Sequence, residues 1–247
     1  MPLTFSTREL LSEITALESI ATKFTARDSA AVLPMFRTSL ENIRAQRNHD
    51  AVRWEISENI PFRTADSLGD YELDGNGQHN VFAEITSIWD VAPYGNRESG
   101  GTSRFVRLIG NASTRVRLFC RTPDQITEIA MWRMEIGDDD APGCRFHVQV
   151  LGERDEFPFP HSLSIPRLPS IMVTPMAVIE FVIGELFQDA WPKEAARGTA
   201  DMGLWRTIQV KRFNRLLQWQ QDAVAQSTGS PWLSLKKAEI AQDLFTR

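Results

Sequence analysis

Two stretches decide the fold class: AMWRME at residues 130–135 and RFHVQV at residues 145–150. In both, apolar side chains occupy every second position, and polar or charged side chains occupy most of the positions between them. Successive side chains of a β-strand point to opposite faces, so this period of two predicts strands with one apolar and one polar face. Such alternation is typical of an antiparallel sheet that covers a core on one side.

The period of two extends over residues 51–152, where short apolar runs alternate with turn residues. This pattern predicts an antiparallel meander of about six or seven strands. Two hairpin turns are expected within it, at Gly75-Asn76-Gly77 and at Gly110-Asn111, because Gly and Asn tolerate a positive φ. Residues 92–101 and 137–143 are expected to form loops.

An N-terminal helical hairpin is predicted within residues 1–50. The sequence Ser6-Thr7-Arg8-Glu9 matches a capping box, and apolar side chains then recur at helical spacing. A second apolar stripe of the same period runs from Val32 to about Arg47.

Three helices are predicted within residues 174–247. Thr174 is expected to cap the first of them and Pro175 to occupy its first turn, with an end near Trp191. The other two are expected over residues 201–225 and 230–245.

Glu180 is a charged residue on the otherwise apolar surface of the first of these helices. We expect it to pair with an arginine of the sheet. The alternative is that burial raises the pKa of its carboxyl group, because a low-dielectric environment disfavours the charged form.

These elements predict a single α+β domain over residues 1–247, in which helices flank an antiparallel sheet. A Pro-rich connector over residues 153–173 links the sheet to the C-terminal helices. Prolines favour extended backbone and lack an N–H donor, so the connector is expected to cross the sheet as ordered coil. The hydrophobic fraction of 42% is enough for a core.

The charge and the cysteines narrow the class of protein. The formal net charge of −5 excludes a global positive field that would attract nucleic acid or an anionic membrane. The first residues show no export-signal pattern, so export is not expected, and the apolar stretch 171–187 is interrupted by charges and too short for a bilayer. The two cysteines, Cys120 and Cys144, form neither a disulfide framework nor a zinc motif, which favours a cytoplasmic protein.

The candidate site combines the last predicted strand with residues that follow it in the sequence. His147 and His161 could act as general acid and base, and the guanidinium of Arg167 could hold an anionic group. Other polar residues of the sheet extend this candidate ligand-binding surface: Arg117, Arg133, Arg145 and Gln149.

Two interpretations of these polar residues are open. On a flat sheet they face water, and arginines pair with glutamates across the strands. If the sheet curls, the polar side chains of its strands line a pocket: Glu84, Arg107, Arg115, Arg117, Arg133, Glu135, Arg145, His147 and Gln149. No nucleotide-binding, hydrolase, zinc-protease or kinase motif is present, so whether the chain is an enzyme stays open, and no cofactor or metal is expected.

The helix predicted over residues 201–225 carries basic residues beside aromatic ones. Such a surface could contact a nucleic-acid backbone, or it could dock on acidic parts of this chain or of a partner. The candidate nucleic-acid residues are Arg206, Lys211, Arg212 and Arg215.

The leading hypothesis is a non-catalytic cytoplasmic protein that binds a protein partner or an anionic ligand on the Arg and His side of its sheet. One alternative is a metal-independent phosphodiesterase or ribonuclease, which requires His147 and His161 to flank one cleft with Arg167 between them. Another is a nucleic-acid-associated protein that uses its basic helix. No membrane partner is expected.

Overall fold

The computed structural model describes residues 3–67, 80–97, 102–137, 143–150 and 167–246. In chain order, the strands and α-helices are β1 (Thr4–Ser6), α1 (Thr7–Ile20), α2 (Val32–Ala45), β2 (Val52–Ile56), β3 (Phe62–Arg63), β4 (Asn80–Arg97), β5 (Ser103–Arg121), β6 (Ile126–Ile136), β7 (Phe146–Val150), β8 (Arg167–Pro169), α3 (Pro175–Leu186), α4 (Ala190–Ala195), α5 (Ala200–Ala225) and α6 (Pro231–Lys237).

The strands form one antiparallel sheet in the order β2, β4, β5, β6, β7 and β8, with β1 paired to β5 and β3 to β4. This arrangement of helices and an antiparallel sheet confirms the predicted α+β class. Six of the described strands, β2 to β7, lie within residues 51–152, in agreement with the six or seven expected there, and β1 and β8 add two short strands from outside that region. The strands β1, β3 and β8 have only two or three residues, too few to show a period of two.

The predicted starts of two helices are confirmed by their caps. Ser6 Oγ accepts a hydrogen bond from the backbone N–H of Glu9 at 3.3 Å, and α1 then packs against α2. Thr174 Oγ1 accepts from the N–H of Ala177 at 3.3 Å, with Pro175 in the first turn of α3. Each cap satisfies a donor that has no partner within its own helix. No helix in the described ranges is long and apolar enough to span a bilayer.

The expected end of α3 near Trp191 is wrong, because the helix stops at Leu186. Phe187 leaves helical geometry, with φ −122° and ψ 56°, and α4 follows as a separate helix. The break brings Phe187 and Trp191 onto Phe24, with ring centroids 4.9 and 5.5 Å apart. Aromatic packing therefore replaces the continuous helix that the apolar pattern predicted.

The last predicted helix also ends early, at Lys237 rather than near residue 245. Ala238 is extended, and the chain beyond it turns back toward the sheet. The Phe245 ring then stacks on Phe5 with centroids 5.2 Å apart.

The predicted hairpin at Gly110-Asn111 is wrong, because β5 runs through both residues. Residues 109–111 form a bulge opposite Asp90. Asp90 Oδ2 accepts from the N–H of Asn111 at 3.1 Å, and a Cβ at Gly110 would lie 3.0 Å from the same oxygen. The absence of a side chain at Gly110 thus leaves room for the close approach of Asp90. Residues 92–97, expected in a loop, belong to β4, and the Gly75-Asn76-Gly77 turn lies outside the described residues.

The apolar face of the sheet packs on α1, α2 and α3. Trp54 of β2 stacks on Phe36 of α2, with ring centroids 4.1 Å apart, and donates its indole N–H to the Phe36 carbonyl at 3.0 Å. The helix α5 packs on α1. The opposite face of the sheet carries the polar residues, as the period of two predicted.

Candidate functional site

Strand pairing brings the polar residues of β6, β7 and β8 into two neighbouring rows on one face. Glu135 lies opposite His147, and Arg133 lies opposite Gln149. Arg167 extends the second row, because it lies opposite Gln149 from the other side. Directly paired residues point to the same face, so these five residues form one group, the Glu135 cluster.

Glu135 is the centre of the hydrogen bonds in this cluster. Its Oε1 lies 2.9 Å from Arg133 Nε, and its Oε2 accepts from Gln149 Nε2 at 2.8 Å. The same Oε2 lies 3.1 Å from His147 Nε2. Arg133 also donates to Gln149 Oε1 at 3.0 Å. One carboxylate therefore orients three neighbouring side chains.

His147 is 1% exposed, and both of its ring nitrogens are occupied. Nδ1 lies 2.7 Å from the Cys144 carbonyl oxygen, which can only accept, so Nδ1 carries a hydrogen and donates it. Nε2 faces Glu135, and this contact is a charge-assisted hydrogen bond when the ring carries both hydrogens. The imidazole is thus a fixed part of the network.

Opposing effects act on the pKa of Glu135. Burial is the largest effect and raises it, whereas the hydrogen bond from His147 and the charges of Arg133, His147 and Arg167 lower it. The lowering effects together are greater, so the pKa of Glu135 lies below its ordinary value of 4.5. The carboxylate therefore stays ionised at neutral pH.

Arg167 contributes charge to the cluster without a hydrogen bond. Its aliphatic stem crosses Gly143, where a Cβ atom would lie only 2.9 Å from the Arg167 Cβ. Arg167 is half-buried, and its guanidinium has no hydrogen-bond partner among the described residues. It is therefore the group whose donors can bind an added anion.

Two other predicted ligand-binding residues donate to groups outside the cluster. Arg117 donates to Glu128 Oε2 at 2.8 Å, and its guanidinium lies 4.8 Å from the centroid of the Phe119 ring. Arg145 precedes β7 and donates to the Gly137 carbonyl at 3.1 Å. The structure thus pairs Arg133, His147, Gln149 and Arg167 with Glu135 or with one another, whereas Arg117 and Arg145 bind other groups.

The described residues do not form the pair of imidazoles that the phosphodiesterase hypothesis requires. His147 is buried with both nitrogens engaged, which leaves no ring nitrogen to exchange a proton with a substrate. His161 lies outside the described residues. Within the described part of the chain, no group of three or more His, Cys, Asp or Glu side chains is arranged to hold a metal ion.

Arg212, one of the candidate nucleic-acid residues, is not available to a nucleic acid, because it binds an acidic group of this chain, as the alternative for the basic helix allowed. It is 5% exposed, and its NH1 lies 2.6 Å from Oε1 of Glu13, which is fully buried. The apolar pattern of α5 is too weak to show that this arginine faces α1.

Two further basic residues of α5 bind groups of the same chain. Lys211 forms an ion pair with Glu9, and Arg215 donates to the Phe245 carbonyl at 2.6 Å. Of the four candidate residues, only Arg206 is exposed without such a partner in the described ranges. The helix therefore presents little free positive charge.

The expected pairing of Glu180 with an arginine is wrong. The hydrogen-bond donor to its carboxyl group among the described residues is Trp191. Burial raises the pKa of Glu180 above 4.5 by more than the Trp191 hydrogen bond lowers it. The alternative, a raised pKa, is confirmed.

Sequence reasoning missed Gly143 as a part of the candidate site, and it included Glu135 only as one of the polar residues that could line a pocket. The alternation of β6 places Glu135 two positions from Arg133, so both were expected on one face. Its central position depends on the pairing with His147, which no local pattern reveals. Gly143 carried no sequence signal beyond that of a loop residue.

Comparison of the chain with protein-family models, with curated proteins and with solved structures found no match in any of the three. The interpretation of the site therefore rests on its own geometry and chemistry.

Proposed function

We propose that this chain is a non-catalytic protein that binds an anionic ligand, through a phosphate or carboxylate group, at the Glu135 cluster. The observation that supports the proposal is Arg167, a half-buried guanidinium with no hydrogen-bond partner among the described residues. Guanidinium groups bind phosphate and carboxylate groups with two parallel hydrogen bonds.

The charges of the cluster favour an anion. The charges of Arg133, His147 and Arg167 all act on the single carboxylate of Glu135. The two guanidinium groups alone leave an excess of positive charge within these five residues. The chain as a whole has a net charge of −5, so attraction is confined to the cluster, and added salt should weaken binding.

The hydrogen bonds around Glu135 give the site a fixed shape. Arg133, His147 and Gln149 all contact this carboxylate, and none of them has to move when a ligand binds Arg167. A site that is ordered before binding loses less entropy when the ligand arrives.

The proposal includes a cytoplasmic location. Cys120 and Cys144 are both free thiols. Free thiols persist in compartments where glutathione and thioredoxin keep cysteines reduced.

Isothermal titration at low ionic strength tests the proposal, with inorganic pyrophosphate as the phosphate probe and citrate as the carboxylate probe. We expect saturable binding of at least one probe. Arg167→Gln should weaken it about tenfold or more, because a hydrogen bond to a charged group contributes about 1.5–3 kcal/mol.

The matched control is Arg206→Gln, which removes the same charge from an exposed position on α5. It should leave the affinity within about twofold of the unmodified protein, since the charge it removes is exposed and screened. Equal losses in the two variants would indicate a general charge effect and contradict the proposal. Absence of saturable binding by both probes would contradict it as well.

A further inference from the structure

A cavity lies on the face of β6 and β7 opposite to the Glu135 cluster. It has a volume of about 480 Å³ and lies between the apolar face of the sheet and α3. This α3 cleft is lined by Val81, Leu118, Ile129, Trp132, Val148, Val150, Met172, Phe181, Glu185, Leu186 and Gln188. Its volume is within the range of about 300–1,000 Å³ that small-molecule sites occupy.

The α3 cleft exposes large apolar side chains that a filled core would cover. Ile129, Val150 and Phe181 are 50%, 38% and 39% exposed. Trp132 and Val148 are half-buried in its wall, while the side chains next to them in sequence, Arg133 and His147, belong to the Glu135 cluster. A ligand that covers this wall gains the free energy of removing apolar surface from water.

The polar residues of the lining indicate which ligand fits. Glu185 and Gln188 are the polar residues that line the cleft, and both are exposed. Neither has a hydrogen-bond or ion-pair partner within the described ranges. Among the described residues, Glu185 is the only charged residue of the lining, and they give the cleft one uncompensated negative charge. The aromatic rings of Trp132 and Phe181 also attract cations through their faces.

We infer that the α3 cleft binds a small amphiphilic amine, with its apolar body against Trp132 and Val148 and its ammonium group beside Glu185. A carboxylate ligand is disfavoured because it would place a second negative charge near Glu185. This site is independent of the anion proposed for Arg167, since the two sites lie on opposite faces of β6 and β7.

Three probes with one apolar chain and different head groups test the inference: octylamine, octanol and octanoate. Titrated into the full chain at neutral pH, octylamine should bind most tightly and octanoate most weakly. Glu185→Gln should lower the affinity for octylamine about threefold, which is the effect expected for an exposed ion pair, and should leave the affinity for octanol unchanged. Glu55→Gln, at an exposed position on β2, is the charge-matched control and should change neither.

Two variants that fill the cleft test its location. Val150→Trp and Ile129→Trp replace exposed lining residues, so at least one of them should fold, as circular dichroism would show. Either variant should weaken octylamine and octanol by the same factor, while Arg167→Gln should affect neither.

Four outcomes would overturn the inference. Octanoate could bind as tightly as octylamine, or the preference for octylamine could survive Glu185→Gln. The filled variants could also bind all three probes unchanged. Sedimentation tests for the fourth outcome: a dimer that Val150→Trp converts to a monomer would identify the cleft as an interface between two copies of the chain.

Discussion

Glu13 Oε1 and Arg212 NH1 lie 2.6 Å apart, although the two residues are separated by 199 positions in the sequence. Thr174 Oγ1 and Gln209 Nε2 donate to the same oxygen, each at 2.7 Å. One buried carboxylate therefore joins α1, α5 and the N-terminus of α3. Glu13 Oε2 has no hydrogen-bond partner among the described residues, so the three donors to Oε1, of which Arg212 is the charged one, compensate for the burial of this carboxylate.

Arg212→Met should destabilise the protein by about 3–5 kcal/mol, because it leaves the charge of Glu13 buried without its partner. Unfolding in urea measures this loss. The double variant Glu13→Gln with Arg212→Met removes both charges and should lose much less than the two single variants together. Additive losses would mean that the two charges are not coupled.

The control for this pair is Lys211→Met, which removes a neighbouring positive charge that pairs with Glu9 near the surface. Exposed ion pairs contribute about 0–1 kcal/mol, so the free energy of unfolding should change little.

Glu180→Gln should stabilise the protein at neutral pH. The pKa of Glu180 is raised above 4.5 by burial, so the folded state holds this proton more tightly than the unfolded state. That stabilisation is fully present below pH 4.5 and is lost as the pH rises through the folded pKa. The glutamine stays neutral and can still accept from Trp191, so Tm at neutral pH should rise by about 2–4 °C.

Thermal unfolding of the Glu180→Gln variant should show no gain below pH 4.5, where Glu180 itself is protonated in both states. Glu185→Gln, at an exposed position of the same helix, should show no comparable pH dependence. An equal rise in Tm at neutral pH and below pH 4.5 would indicate that the charge of Glu180 does not cause the stabilisation.

Glu135→Gln should have the opposite effect. The pKa of Glu135 is lowered, so its contribution to stability is present above pH 4.5 and is lost as the pH falls through the folded pKa. At neutral pH the variant should lose about 1–3 kcal/mol, because His147 and Gln149 lose a charged acceptor and Arg133 loses its ion-pair partner. Urea unfolding at a series of pH values measures this effect. Below pH 4.5 the free energy of unfolding should fall less steeply with pH in the variant than in the unmodified protein. If the two plots of free energy against pH stay parallel, the proposed role of Glu135 is contradicted.

Gly143→Ala should reduce pyrophosphate affinity without removing a charge. A Cβ at this position would overlap the stem of Arg167, so the guanidinium must move. We expect a loss comparable to that of Arg167→Gln, about tenfold. Gly203→Ala is the control, because its added Cβ meets nothing within 4 Å, and it should leave binding unchanged. If Gly143→Ala binds normally, the position of Arg167 does not matter for the ligand.

Some of the candidate site could be predicted from the sequence. The alternation in β6 and β7 placed Arg133, His147 and Gln149 on one polar face, and the structure agrees. The burial of His147 could not be predicted, because alternation shows to which side a residue points and does not show what covers that side. The burial of Arg212 could not be predicted either, because its basic neighbours in the sequence do not show that α1 covers it, and it was therefore expected at a surface.

By itself, the sequence determined the local features: the caps at Ser6 and Thr174, and the two-faced strands of an α+β fold. These depend on side chains within three or four positions of each other, which a local pattern contains. Only the tertiary structure decided that β5 continues through Gly110, that Glu135 faces His147 and that Arg212 meets Glu13. Each of these depends on strand register or helix packing between distant segments, where burial and close approach outweigh local propensity.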